Sequence, residues 1–220
     1  MDVCKFVDEI EEKNGWVDRE LFEESIKFLR HIGSTLGLDL RVEEGETLSG
    51  CKYRSYYFPI SDYFRYRIAT EWHCVEDGTT VDRYTIHHDG LLFIKHYCED
   101  YPKLLSLAEK IVEAWSRVTD DDVIYAHRPF SKDVEFISTA TSMFYPYDKI
   151  KDRIAKLALS KVGIRGFISK RFRGGDWLFV KIRSDGTVYV SKSKPSWVIG
   201  YLIGKGGHRA RSLGIRVKVV

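Results

Sequence analysis

The stretch SWVIGYLIGKGGHRARSLG, Ser196–Gly214, places four glycines (Gly200, Gly204, Gly206 and Gly207) within eight residues. Glycine inside regular structure costs about 0.5–1 kcal/mol relative to alanine, so the cluster needs a physical reason. Branched apolar residues (Val198, Ile199, Ile203) stand before it, and His208-Arg209-Ala210-Arg211 follows. Two phosphate-loop patterns fail here. A P-loop needs four residues between its glycines and a hydroxyl after the lysine. This chain has three residues between Gly200 and Gly204, and Gly206 follows Lys205. A dinucleotide loop follows a strand and needs an acidic residue about 20 positions on, whereas the chain ends 13 residues after Gly207.

The surroundings supply a context. DKIKDRIAKLALSKVG (148–163) carries Ile150, Ile154, Leu157 and Ala158 at helical spacing. GFISKRF (166–172) and WLFVKIRSDGTVYVSK (177–192) read as strands with a turn at Ser184-Asp185-Gly186. Pro195 suits the first turn of a helix over 195–203 that stops at the glycines. HRARSLG reads as a short helix and IRVKVV (215–220) as an alternating strand.

Val198-Ile199-Gly200 and Ile203-Gly204-Lys205-Gly206-Gly207 in this order of elements resemble the signature of KH domains, in which a GxxG turn joins two short helices. The arrangement is similar to the type II form, and the IGKGG wording is NusA-like. The resemblance covers about 148–220. It implies an α/β module that grips about four nucleotides of single-stranded RNA, with single-stranded DNA as the second candidate. The second helix, His208–Leu213, is about a turn shorter than in NusA-like modules, which implies a shallow groove.

The residues admit the same chemistry. Gly204 and Gly207 remove side chains where a sugar–phosphate backbone would press, with Gly206 beside them. N–H groups at the start of the next helix, Gly207–Arg209, would face a phosphate. Lys205, His208, Arg209 and Arg211 add charge, as do Lys192 and Lys194. Ile199 and Ile203 would form or support an apolar groove floor. In SKRFRGGDW, Arg171 and Arg173 beside Lys170 stand ready for salt-dependent phosphate contacts, although one RGG also reads simply as a basic hairpin loop.

Charge is divided unevenly. Residues 148–220 hold 18 Lys and Arg against four Asp; residues 1–147 hold 17 basic against 28 acidic residues. Such asymmetry is a signal of a polyanionic partner. It also suggests a boundary between an acidic domain (1–147) and a basic one (148–220). The chain lacks Gln and has one Asn, Asn14, the composition of a protein that works at high temperature. No apolar run reaches the roughly 18 residues of a membrane span. The acidic N-terminus has no signal-peptide core, so a soluble, cytoplasmic protein is expected.

The first domain reads as an antiparallel sheet with flanking helices, class α+β. A helix is expected over 18–37, then strands at 38–44, 52–58 and 63–75. VDRYTIHH and LLFIKHY flank Asp89-Gly90 as a hairpin. A helix follows over 104–118, then short strands in DVIYAHRPF (122–130) and DVEFIS (133–138). On that hairpin register His87 and His96 lie about 13 Å apart, too far to share a zinc ion. The cysteines Cys4, Cys51, Cys74 and Cys98 form no CxxC pair and are expected as buried thiols or one disulfide. No nucleophile–base pair stands out, and no cofactor or metal site is expected. The expected function is therefore non-enzymatic RNA binding, with the acidic domain docking a protein partner. The alternative is an enzyme acting on nucleic acid in the first domain.

Overall fold

The computed structural model describes residues 1–61, 64–127 and 130–220. It divides into two units, Met1–Tyr101 and Pro102–Val220. In the first, a 3₁₀ turn (Val3–Phe6) leads into α1 (Val7–Glu12), a short strand β1 (Trp16–Val17) and α2 (Arg19–Thr35). The Asp18 carboxylate caps α2, accepting the Leu21 N–H at 2.8 Å. Strands β2 (Arg41–Glu46), β3 (Lys52–Ser61), β4 (Phe64–Glu76) and β5 (Thr79–Ile86) complete an antiparallel sheet in the order β1-β5-β4-β3-β2. Phe22 of α2 packs its ring 5.9 Å from Tyr56 and 5.1 Å from Tyr84. Gly33 permits that approach, because a Cβ there would sit 2.4 Å from the Phe58 ring.

The Asp89-Gly90 hairpin does not form. His88–Lys95 is a helix, α3. Gly90 is required by packing rather than by a turn: a Cβ there would lie 2.4 Å from the Ile68 carbonyl oxygen. The two-residue hairpin turn is Asp77-Gly78, with φ of 52° and 78°, the paired positive angles that suit strand twist. A π-helical turn (His96–Asp100) connects α3 to α4 (Tyr101–Val118), where Pro102 has no N–H to continue a regular ladder.

The cysteines form two disulfides, Cys4–Cys98 and Cys51–Cys74, rather than thiols or a single bridge. Cys51 and Cys74 extend the β3–β4 register one step beyond Lys52↔His73, so the ladder brings them face to face. Tyr63 of the expected strand 63–75, and Arg128 and Pro129 of DVIYAHRPF, lie outside the described residues.

The second unit contains α4 beyond its first residue, then β6 (Val123–Ala126), α5 (Lys132–Ser142), α6 (Lys149–Lys161), β7 (Ile164–Arg171), β8 (Trp177–Arg183), β9 (Thr187–Val190), α7 (Ser196–Ile203), α8 (His208–Ser212) and β10 (Arg216–Val219). DVEFIS is thus helical. Ser131 caps α5 by accepting the Val134 N–H, and Val134, Ile137 and Ala140 form its buried side. Strands β6, β8 and β7 form an antiparallel sheet in that order, and β9 pairs parallel with β10. Val198 and Leu202 of α7 close one core with Leu178, Val180, Val188, Val190 and Ile215.

β6 therefore belongs with the basic C-terminal sheet, and the unit boundary falls at Tyr101/Pro102 instead of 147/148. Charge changes at 148, but backbone pairing recruits the chain earlier. The two units hold 12 basic against 21 acidic and 23 basic against 11 acidic residues, so the asymmetry survives the shift.

Two buried carboxylates join the sheets of this unit. Asp122 accepts Arg183 Nε at 2.8 Å and the Tyr189 N–H at 2.9 Å. Asp121 accepts the Ser191 N–H at 2.7 Å, the Thr119 hydroxyl at 2.8 Å and Lys194 Nζ at 3.1 Å. Burial alone would raise the Asp121 carboxyl, but the Ser191 N–H and these other donors hold it below its ordinary value. The molecule is α+β, and among the described residues no helix is long and apolar enough to cross a membrane.

Candidate nucleic-acid interface

The glycine turn joins α7 to α8 with Gly204 at φ 74°, Gly206 at φ 59° and Gly207 at φ 76°. These angles explain why three of its four residues are glycine. Each has a different neighbourhood. A Cβ at Gly204 would meet the Arg209 Cβ at 2.7 Å, so this residue lets α8 fold back against the end of α7. A Cβ at Gly207 would meet Arg211 Nη1 at 3.1 Å. Gly206 has no atom within 4 Å of a Cβ position, and it is exposed with Lys205 at the outer bend.

The expected N–H cradle at the start of the second helix is largely occupied. Gly207 N–H donates to the Gly204 carbonyl at 3.0 Å and His208 N–H to the Lys205 carbonyl. α8 has only five residues, too few for a substantial dipole. Anion contacts at this turn therefore fall to side chains. Lys205 and His208 are exposed. Arg211 is exposed as well, and its Nη2 donates to the Gly206 carbonyl at 2.7 Å, bracing the turn.

Other expected site residues separate into roles. Ile199 packs against the core, whereas Ile203 is exposed. Lys194 is engaged with Asp121 and Thr119 and acts within the scaffold. Lys192 is exposed, its N–H bonded to the Val220 carbonyl. Arg209 lies over Tyr201, its Cζ 3.9 Å from the ring centroid. Arg171 lies over Trp177 at 5.5 Å, and Arg173 is exposed at the β7–β8 turn.

Sequence reading missed a chain of rings beside the turn. Phe172 contacts Trp197 at 5.1 Å and Tyr201 at 5.7 Å, and Trp197 contacts Tyr125 at 5.2 Å. Tyr125 contacts His127 at 4.6 Å. The signal was present: Trp197 and Tyr201 are four apart on one helix, and His127 is two residues after Tyr125, just past the end of β6.

In the first unit, a surface groove of about 480 Å³ is lined by Glu44, Glu46, Lys52, Tyr53, Arg54 and His73. Its groups pair laterally across strands. Arg54 bonds Glu44 at 2.8 Å and Glu71 at 3.0 Å, and His73 Nδ1 lies 2.7 Å from Asp82. This is the ion pairing of an exposed sheet face. His87 and His96 are not on a shared strand pair: His87 Nε2 bonds Thr70, and His96 Nδ1 bonds Asp100, each at 2.7 Å.

No protein-family model, curated protein or solved structure matches this chain.

Proposed function

We propose that this protein binds single-stranded RNA, holding the sugar–phosphate backbone on the Gly204–Gly207 turn of a KH-like module. The observation that carries the reading is the exposed, bare Gly206 bend beside Lys205, in a unit with 23 basic and 11 acidic residues. Backbone angles account for glycine at 204, 206 and 207; the open, exposed space at Gly206 and the charge around it support the reading beyond them. Lys205, His208 and Arg211 meet phosphates, and the Arg211 bond to Gly206 presets the bend. The acidic first unit is assigned a protein partner, which leaves the basic unit to RNA.

The test is Lys205→Asp with Gly206→Asp in the full chain. Aspartate tolerates the left-handed conformation better than most residues, and its Cβ has room at 206. Folding should persist while affinity for a labelled single-stranded RNA collapses. Wild-type affinity should fall with salt at a logarithmic slope of about −0.7 per phosphate contacted, or about −3 for four. Unchanged affinity in the double variant removes the proposal.

A further inference from the structure

We infer that the ring chain Tyr201–Phe172–Trp197–Tyr125–His127 is a second subsite that stacks unpaired bases of the same strand. The inference rests on the RNA-binding reading above and adds to it a base-recognising surface beyond the glycine turn. Four successive edge-to-face contacts, with centroids 4.6–5.7 Å apart and planes 74–84° apart, hold the five rings in a fixed series. Each edge-to-face contact covers one ring face, so the surface offered to a nucleobase is the exposed part of Trp197 and His127 at the rim of the series.

The series is exposed at Trp197 and His127, while Tyr125, Phe172 and Tyr201 pack partly against the core and brace it. Trp197 is 41% exposed, and the His127 side chain is 68% exposed. One carboxylate fixes the far end: Asp176 accepts the Tyr125 hydroxyl at 2.8 Å and lies 2.7 Å from His127 Nδ1. At the near end Arg209 covers Tyr201. Trp197 and Ile203 are exposed on the same helix, so α7 presents apolar surface next to the turn.

Two features select bases of a polyanion as the occupant. Cations adjoin the rings: Arg209 lies over Tyr201, its Cζ 3.9 Å from the centroid, and Arg171 and Arg173 flank Phe172 in sequence. The rings also run directly into the glycine turn through α7. Between Trp197 and Gly204 on that helix stands Gly200, exposed, with no atom within 4 Å of a Cβ position. Trp197 and Gly200 share one side of the helix by their spacing, and Gly204 follows its last turn. The bare backbone at Gly200 lies between the ring series and the turn, a place where a strand can lie close.

The experiment compares full-length protein binding to a labelled oligoadenylate and to an abasic ribose-phosphate oligomer of equal length, at low salt. The base-bearing strand should bind about 5- to 100-fold more tightly, the effect of losing one aromatic–base stack. Trp197→Leu should abolish that preference, and Trp197→Tyr should retain most of it. The Lys205→Asp/Gly206→Asp variant should weaken both oligomers alike. Equal affinity of wild type for the two oligomers overturns the stacking subsite while leaving the phosphate turn intact, and so does an equal loss on both in Trp197→Leu. Failure of both oligomers to bind overturns both readings.

Discussion

Gly200→Ala should make the protein more stable and a poorer RNA binder. Gly200 is the fifth residue of the eight-residue helix α7, its φ is not positive, and a Cβ there touches nothing within 4 Å. Alanine in a helix interior is favoured over glycine by about 0.8–1 kcal/mol, and no steric cost opposes it here. At about 2.1 cal/mol/K per residue, the unfolding entropy of the 119-residue unit Pro102–Val220 is about 0.25 kcal/mol/K. The melting temperature should therefore rise by about 3–4 °C. If a strand lies on the bare side of α7, the added methyl intrudes into a close contact at about 1–3 kcal/mol, roughly 5- to 100-fold in affinity. Gly204→Ala supplies the opposite sign. Its φ of 74° and the Arg209 backbone nitrogen 2.9 Å from the new Cβ should lower the melting temperature. Circular dichroism melts and fluorescence anisotropy with labelled RNA measure both quantities. A lower melting temperature in Gly200→Ala refutes the stability argument. A higher one with unchanged affinity shows that no strand rests on α7.

Reduction of the disulfides should destabilise the first unit selectively. Chain-entropy arguments give about 4.7 kcal/mol for the 94-residue separation of Cys4–Cys98 and about 3.4 kcal/mol for the 23-residue separation of Cys51–Cys74, without additivity because the second loop lies within the first. Denaturant titrations with and without reductant should move the transition of residues 1–101 and leave that of 102–220 in place. Asp121 makes the second unit acid-sensitive. Its folded pKa lies below its unfolded value, so its stabilisation is present above about pH 4 and is lost as pH falls through the folded value. Asp121→Asn should cost about 2–4 kcal/mol at neutral pH and flatten the stability profile below pH 4; an unchanged profile refutes the role assigned to this carboxylate.

Local chemistry made much of the second unit legible. Apolar spacing marked α6, the strand-like runs GFISKRF and WLFVKIR marked β7 and β8, and Pro195 with the glycines bracketed α7. The α5 helix was lost because the window DVEFIS stopped before Ala140 completed the buried side begun by Val134 and Ile137. Asp-Gly was ambiguous for a different reason. At 77–78 it turns a hairpin, whereas at 89–90 the same dipeptide opens a helix whose glycine backs onto Ile68. A dipeptide encodes which backbone angles are permitted, and neighbours distant in sequence choose among them.

The amino-acid order by itself determined the α+β class, the charge division and the bare glycine bend, because each depends on residue type and near spacing. Only the tertiary structure decided that β6 joins the basic unit, that Cys51 meets Cys74, and that Phe172 is set between Trp197 and Tyr201. Those facts depend on side chains brought together across dozens of positions, where pairing register and packing act and sequence proximity does not.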